Sequence, residues 1–153
     1  MSRQDVELVT SIYPLDPDAP SGEFDMAAMI EDPDWQQTVE EVFRPDVKIR
    51  FLTPRDGRLP LMEQDTFAGP RGLAEGWRIW MEPWDSFRIA YEDLIDAGEG
   101  MILLLVRATA RMRDSGIEIP QEGAALHRVE GGKIAAISFY LDQDQARRDA
   151  GLD

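Results

Sequence analysis

Three strand-like segments follow one another between residues 97 and 142, and they constrain the fold more than any other part of the chain. Short turns that contain Gly116 and the pair Gly131-Gly132 join them, and such turns connect neighbouring antiparallel strands. Side chains of the first segment alternate between two faces. One face carries Leu103, Leu105, Arg107, Thr109 and Arg111, and the other carries Ile102, Leu104, Val106, Ala108, Ala110 and Met112. The chain therefore contains an antiparallel sheet.

The remaining segments surround this sheet. Residues 14–22 are rich in proline and aspartate, which excludes a regular helix or a central strand there. Apolar residues at helical or alternating spacing predict helices near 3–12, 33–43, 70–83 and 142–150, and strands near 47–53, 63–68 and 87–95. This order predicts one α+β domain over residues 1–153, with a curved sheet and helices packed on one of its faces.

Charge and composition exclude several classes of function. The formal net charge of −14 argues against nucleic acid and anionic membranes as partners. The absence of cysteine removes disulfides, thiolate nucleophiles and cysteine-based metal sites. No apolar run approaches the roughly 18 residues of a membrane span, and the first residues have no apolar signal core. We therefore expect a cytoplasmic protein.

Neither a metal nor a cofactor is expected. His127 is the only histidine, and the acid pairs Asp16/Asp18 and Asp142/Asp144 lie in segments predicted to be exposed. The chain has no G-x-S-x-G motif and no phosphate-binding glycine loop, since Pro70 makes the Gly69–Gly72 segment a helix start.

Arg107 and His127 are the strongest candidates for a ligand site. Counting back in twos from the Gly131-Gly132 turn places His127 on one face with Ala125 and Val129, and we expect Arg107 and Thr109 to share that face. An arginine on an apolar face must be paired or solvated. It either recognises a ligand or pairs with an acid such as Glu118 or Glu122, and His127 is either catalytic or structural.

Tryptophans mark the apolar side of the helix predicted near 70–83. Trp77, Trp80 and Trp84 recur at helical spacing and are expected to pack this helix against the sheet. One or two of them also suit the wall of a cavity, because an indole offers a large apolar surface with a single N–H donor.

Four segments together resemble a known family: MSRQDVELV, FAGPRGLAEGWRIWMEPWDSFRI, LIDAGEGMILLLVRATARMRDSGIEI and GGKIAAISFYLDQDQARRDAGL. The chain resembles SnoaL-like domains of the nuclear transport factor two superfamily, which also contains ketosteroid isomerases and limonene-epoxide hydrolases. The resemblance implies a conical barrel formed by one strongly bent antiparallel sheet, with helices packed on its concave face. It also implies a homodimer, and it makes residues 14–31 an insertion.

The catalytic residues of these relatives are largely missing. Phe51 stands where the resemblance places the base of ketosteroid isomerases. Arg107 matches the arginine of limonene-epoxide hydrolases, but Thr109 and Phe139 replace the two acids beside it. We therefore expect neither epoxide hydrolysis nor steroid isomerisation, because an arginine without its acids cannot activate water in that way.

Two classes of function fit the predicted pocket. Its ligand-binding residues are predicted to be Ile49, Phe51, Trp77, Trp80, Leu105, Thr109 and Phe139. In the first class, a cyclase or isomerase acts on a hydrophobic carbonyl-bearing metabolite, with His127 as acid or base and Arg107 stabilising an enolate. In the second, the domain only binds a hydrophobic small molecule or serves as an accessory dimerisation domain. The dimer is expected to use the even-numbered face of residues 102–112.

Overall fold

A computed structural model describes residues 3–13, 23–52 and 66–152. Five helices are found in this part of the chain: α1 (Arg3–Thr10), α2 (Met26–Glu31), α3 (Pro33–Val42), α4 (Pro70–Trp80) and α5 (Gln143–Asp149). Its seven strands are β1 (Glu23–Asp25), β2 (Phe43–Leu52), β3 (Thr66–Ala68), β4 (Trp84–Gly98), β5 (Met101–Met112), β6 (Glu118–Glu130) and β7 (Lys133–Tyr140). The α+β class predicted from the sequence is confirmed.

The strands form one open, curved sheet in the order β1-β4-β5-β6-β7-β2-β3. β4, β5, β6 and β7 are antiparallel neighbours along the chain, as the short turns predict. The pairing of β2 with β7 is parallel, which differs from the expected all-antiparallel sheet. A parallel neighbour requires a long connection, and the chain between β2 and β7 includes α4 and three hairpin strands.

Helix boundaries follow local capping. Asp32 accepts a hydrogen bond from the backbone N–H of Asp34, and Pro33 occupies the first turn of α3. Asp142 caps α5 by accepting from the N–H groups of Asp144 and Gln145. The Asp142/Asp144 pair is therefore explained by capping. Asp16 and Asp18, with residues 14–22 of the expected insertion, lie outside the described residues, whereas residues 23–31 form β1 and α2.

The two faces of the sheet are covered differently. We call the face that carries Ile102, Ala108 and Ala110 the inner face, and α1 to α4 pack on it to form the main core. The opposite, outer face carries Leu103 and Leu105, and α5 covers them through Ala146. Three of the four predicted helices thus pack on one face as expected, together with α2, whereas the predicted C-terminal helix, α5, lies on the other face.

The sequence-based argument for a dimer is wrong in its premise. The even-numbered face of residues 102–112 was expected to be apolar and uncovered, but it is the inner face and lies in the main core. The homodimer itself remains a prediction from the family resemblance.

In the described part of the chain, no helix has the length and apolar character needed to cross a membrane.

Candidate functional site

A cavity lies between the inner face of the sheet and the helices. The cavity has a volume of about 60 Å³, and almost all of its surface is apolar. Its walls combine small and branched residues of β5, among them Leu104, Val106 and Ala108, with aromatic rings from other elements. The aromatic residues of the described wall are Tyr13, Phe24, Phe51, Trp77, Trp80, Phe87, Phe139 and Tyr140. Such a concave apolar surface is typical of a small-molecule site.

Close packing of α4 on β2 positions the aromatic wall. The rings of Phe51 and Phe139 are stacked with centroids 4.9 Å apart, and Trp77 contacts Phe139 edge-on at 5.0 Å. Gly76 allows this approach, because a Cβ atom there would lie 2.5 Å from Cε1 of Phe51. Such ring pairs contribute about 0.5–1.5 kcal/mol beyond the area they bury, so they stabilise this side of the cavity.

Gln121 is a polar residue in this mostly apolar wall. It lies on β6 opposite Ala108 and is only 9% exposed. Neither its Oε1 nor its Nε2 atom has a hydrogen-bond partner among the described residues. Leaving a buried polar group unpaired costs about 1–3 kcal/mol. Both atoms are enclosed by the surrounding protein, so the amide is a buried group in the cavity wall without a partner among the described residues.

A hydrogen-bonded pair of side chains lies at the Tyr13 end of the wall. Nδ1 of His127 lies 3.0 Å from the carbonyl oxygen of Ile102, so this nitrogen carries the proton and donates it. Nε2 must then accept from the Tyr13 hydroxyl at 2.7 Å. Tyr13 lines the cavity, while His127 lies behind it and is completely buried.

Burial sets the protonation of both groups. It lowers the pKa of His127 to about 4, only partly opposed by the hydrogen bond to Ile102, so the ring is neutral at pH 7. Burial, followed by the proximity of Tyr91, raises the pKa of the Tyr13 phenol well above its ordinary value. A base with a pKa near 4 is poorly matched to proton transfer at neutral pH.

Tyr91 provides a second polar group without a partner. Its hydroxyl is buried and has no hydrogen-bond partner among the described residues, and its ring lies 5.4 Å from that of Phe24. Burial raises the pKa of its phenol, which keeps the hydroxyl protonated and able to donate.

Charged chemistry is missing from the described wall. None of the described lining residues is a carboxylate, a lysine, an arginine or a histidine. Within residues 3–13, 23–52 and 66–152, no group of three or more His, Asp or Glu side chains is arranged to hold a metal ion. These parts of the chain can bind and orient a molecule, but they place no strong acid or base against it.

Arg107 does not face this cavity. It lies on the outer face, where its side chain is 66% exposed and donates to Glu92 at 3.0 Å. A second acid, Glu122, lies 3.6 Å away. The prediction that Arg107 and His127 share the cavity face is wrong, and Arg107 cannot contact a ligand held there. The alternative, that Arg107 pairs with neighbouring acids such as Glu122, describes the structure.

The register between β5 and β6 explains why Arg107 and His127 do not share a face. β5 and β6 pair without a register shift, with Ile102 opposite His127 and Arg107 opposite Glu122. Residues that stand opposite each other point to the same side of a sheet. Even-numbered residues of β5 therefore share a face with odd-numbered residues of β6, so His127 lies with Ile102 and away from Arg107.

The same alternation decides the other predicted ligand residues. Phe51, Trp77, Trp80 and Phe139 lie in the cavity wall as expected, and their contact with a ligand stays a prediction. Leu105 lies in the cluster under α5, and Thr109 is exposed on the outer face, so neither reaches the cavity. Ile49 is buried in the main core but is not part of the wall.

Sequence reasoning missed Gln121 and Tyr13. A signal for Gln121 exists, because counting in twos from His127 through Ala125 and Gly123 reaches it on the same face. For Tyr13 no local signal exists. Its position depends on how the end of α1 meets β6, 114 residues away along the chain.

Comparison with known proteins identifies the family. The model of the SnoaL-like domain matches residues 24–137. The chain belongs to the SnoaL-like domain family. The resemblance to SnoaL-like domains predicted from the sequence is confirmed. A search of curated proteins finds no match to this SnoaL-like chain.

Solved structures share the fold of this SnoaL-like protein. A protein from Jannaschia sp. CCS1, provisionally described as a SnoaL-like polyketide cyclase, is 12% identical with a TM-score of 0.65, covering 100% of this chain and 97% of its own. An NTF2-like protein from Burkholderia thailandensis E264 is 18% identical with a TM-score of 0.65, covering 96% and 97%. TerC, co-crystallised with polyporic acid, is 13% identical with a TM-score of 0.62, covering 97% and 98%. At these identities the likeness shows the fold alone.

Proposed function

We propose that this SnoaL-like protein binds a mostly apolar small molecule in the inner cavity. The observation that carries the proposal is the Gln121 amide, which is buried in a mostly apolar wall and has no partner among the described residues. Buried polar groups in folded proteins are almost always hydrogen-bonded, so a buried amide in a cavity wall, without a partner among the described residues, indicates a ligand that pairs with it. TerC, with a similar fold, was crystallised with polyporic acid, and this supports a small organic ligand as that partner.

Binding is better supported than turnover. A cyclase or isomerase acting on a carbonyl compound needs a group that moves a proton near neutral pH. In the described wall, the closest such arrangement is Tyr13 with His127, and the pKa of His127 is about 4. We therefore favour the ligand-binding function over the enzymatic one. The carbonyl-bearing metabolite predicted from the sequence remains a suitable ligand, because Gln121 can donate to its oxygen.

A cavity-filling variant tests this proposal. We expect toluene to shift the amide resonances of β5 and β6 in a protein-detected NMR titration. Ala108→Leu should abolish these shifts, because Ala108 lines the cavity and three additional carbon atoms would occupy it. Thr109→Leu is the matched control, since the next residue on the same strand is exposed on the outer face.

Two outcomes contradict the proposal. One is the absence of saturable shifts in the wild-type protein at millimolar toluene. The other is equal binding by a correctly folded Ala108→Leu variant, which would place the probe outside this cavity.

A further inference from the structure

The chemistry of the wall narrows the kind of ligand. We infer that the cavity selects an uncharged molecule that carries a hydrogen-bond donor and an acceptor side by side on an apolar ring, as a carboxamide or a lactam does. This inference rests on the proposed function, because it names the class of ligand that would occupy the same cavity. Three features of the site support it.

The first feature is that the unpaired side chain of Gln121 can both donate and accept a hydrogen bond. A glutamine side chain offers a carbonyl oxygen that accepts and an NH₂ group that donates. In Gln121 both atoms are buried, and both are without a partner among the described residues. A ligand with only an acceptor would leave Oε1 unpaired, and a ligand with only a donor would leave Nε2 unpaired. A carboxamide or lactam pairs with both atoms at once.

The second feature is that the described wall has no charged side chain to pair with a charged ligand. No lining residue in the described part of the chain carries a charge that could neutralise an ionised ligand. Burying an unpaired ion costs far more than burying a neutral polar group. The formal net charge of −14 adds further repulsion against anions.

The third feature is the position of the nearby arginines. Arg107 and Arg111 belong to β5, which forms part of the cavity wall, but they project from the outer face. Arg107 pairs with Glu92 at 3.0 Å, and Arg111 pairs with Asp85 at 2.8 Å. A carboxylate in the cavity would be separated from both guanidinium groups by the sheet. An anionic ligand is therefore disfavoured.

Four benzene derivatives of similar size separate these possibilities. Toluene is apolar, benzamide carries the paired donor and acceptor, benzoate is an anion, and benzylammonium is a cation. Dissociation constants come from NMR titrations of the full chain at pH 7.5. We expect benzamide to bind at least about tenfold more tightly than benzoate or benzylammonium, since one unpaired buried group corresponds to about that factor.

Gln121→Met tests whether the amide is responsible. Methionine has nearly the same length and volume but removes both polar atoms. We expect the preference for benzamide over toluene to fall about tenfold in this variant. Gln37→Met is the matched control, because Gln37 is exposed on α3 and lies outside the cavity wall, and it should leave the preference unchanged.

The outcomes distinguish this inference from the proposed function. If neither toluene nor benzamide binds the wild-type protein, both fail. If toluene binds but Gln121→Met leaves the benzamide preference unchanged, the cavity binds ligands while its amide is satisfied by ordered water only, and this inference fails alone. Tightest binding of benzoate or benzylammonium would also overturn it. The affinities of the four compounds are ranked on the wild-type protein alone, so this test does not depend on whether a variant folds.

Discussion

The polar side chains on the inner and outer faces of the sheet have opposite surroundings. On the outer face, Arg107 and Arg111 are exposed and each bonds an acid from β4. On the inner face of the sheet, the Gln121 amide is buried beside apolar neighbours, and no described residue pairs with it. Exposed ion pairs cost little and contribute little, whereas an unpaired buried amide has a definite cost. A buried amide that lowers stability is therefore a better indicator of a binding site than an exposed ion pair.

A hydrogen-bond network around Glu92 pairs polar side chains on the outer face. Glu92 lies at a register shift between β4 and β5, and it accepts hydrogen bonds from both Gln143 and Arg107. These bonds, that from Gln143 first, lower the pKa of the Glu92 carboxyl. The Nε2 atom of Gln143 also lies within hydrogen-bonding distance of the Val106 and Gly123 carbonyl oxygens, which ties α5 to the sheet. The polar groups of this region are paired within the chain.

The largest expected effect comes from placing the same charge on each face. Leu104→Glu buries an unpaired carboxylate at a position only 2% exposed, and we expect it to lower the free energy of unfolding by about 4 kcal/mol or more. Thr109→Glu adds a carboxylate opposite Arg88 on the outer face and should change stability by less than about 0.5 kcal/mol. Urea unfolding at pH 7.5 measures both values. Similar losses in the two variants would contradict the assignment of faces.

A smaller effect is expected from the buried histidine. The pKa of His127 is about 4 in the folded protein, against an ordinary value of 6.5. The unfolded chain therefore binds a proton more readily than the folded one. This difference in pKa contributes about 3 kcal/mol to the free energy of unfolding. The contribution is fully present above pH 6.5 and is lost as the pH falls towards 4.

Comparison with His127→Leu isolates this contribution. Carboxylates titrate in both proteins and cancel in the difference between their unfolding free energies. We expect the advantage of the wild-type protein over the variant to shrink by about 3 kcal/mol between pH 7.5 and pH 4. A difference that stays constant with pH would show that His127 is not buried in its neutral form.

The smallest effect is expected at Arg107. Its guanidinium group lies on the outer face in two exposed ion pairs, and such pairs contribute about 0–1 kcal/mol. Arg107→Met should therefore change stability by less than about 1 kcal/mol and leave the affinity for toluene or benzamide unchanged. Thermal unfolding and the same NMR titrations measure both quantities. A loss of ligand affinity in this variant would show that Arg107 reaches the cavity.

The sequence by itself determined the elements and much of the aromatic wall. Alternation, turn glycines and the Asp32-Pro33 helix start are local properties, and they predicted the strands of residues 101–140 and the start of α3. The helical stripe containing Trp77 and Trp80 depends only on spacing along one helix, and both residues lie in the cavity wall.

Only the tertiary structure decided which face of β5 lines the cavity and which polar groups meet there. Alternation separates two faces but does not say which one is inside, and the register across the β5–β6 turn inverted the expected assignment of Arg107. The contact between Tyr13 and His127 joins residues 114 positions apart, and α5 covers Leu103 and Leu105 from the far end of the chain. Such contacts depend on how distant segments pack, which no local pattern specifies.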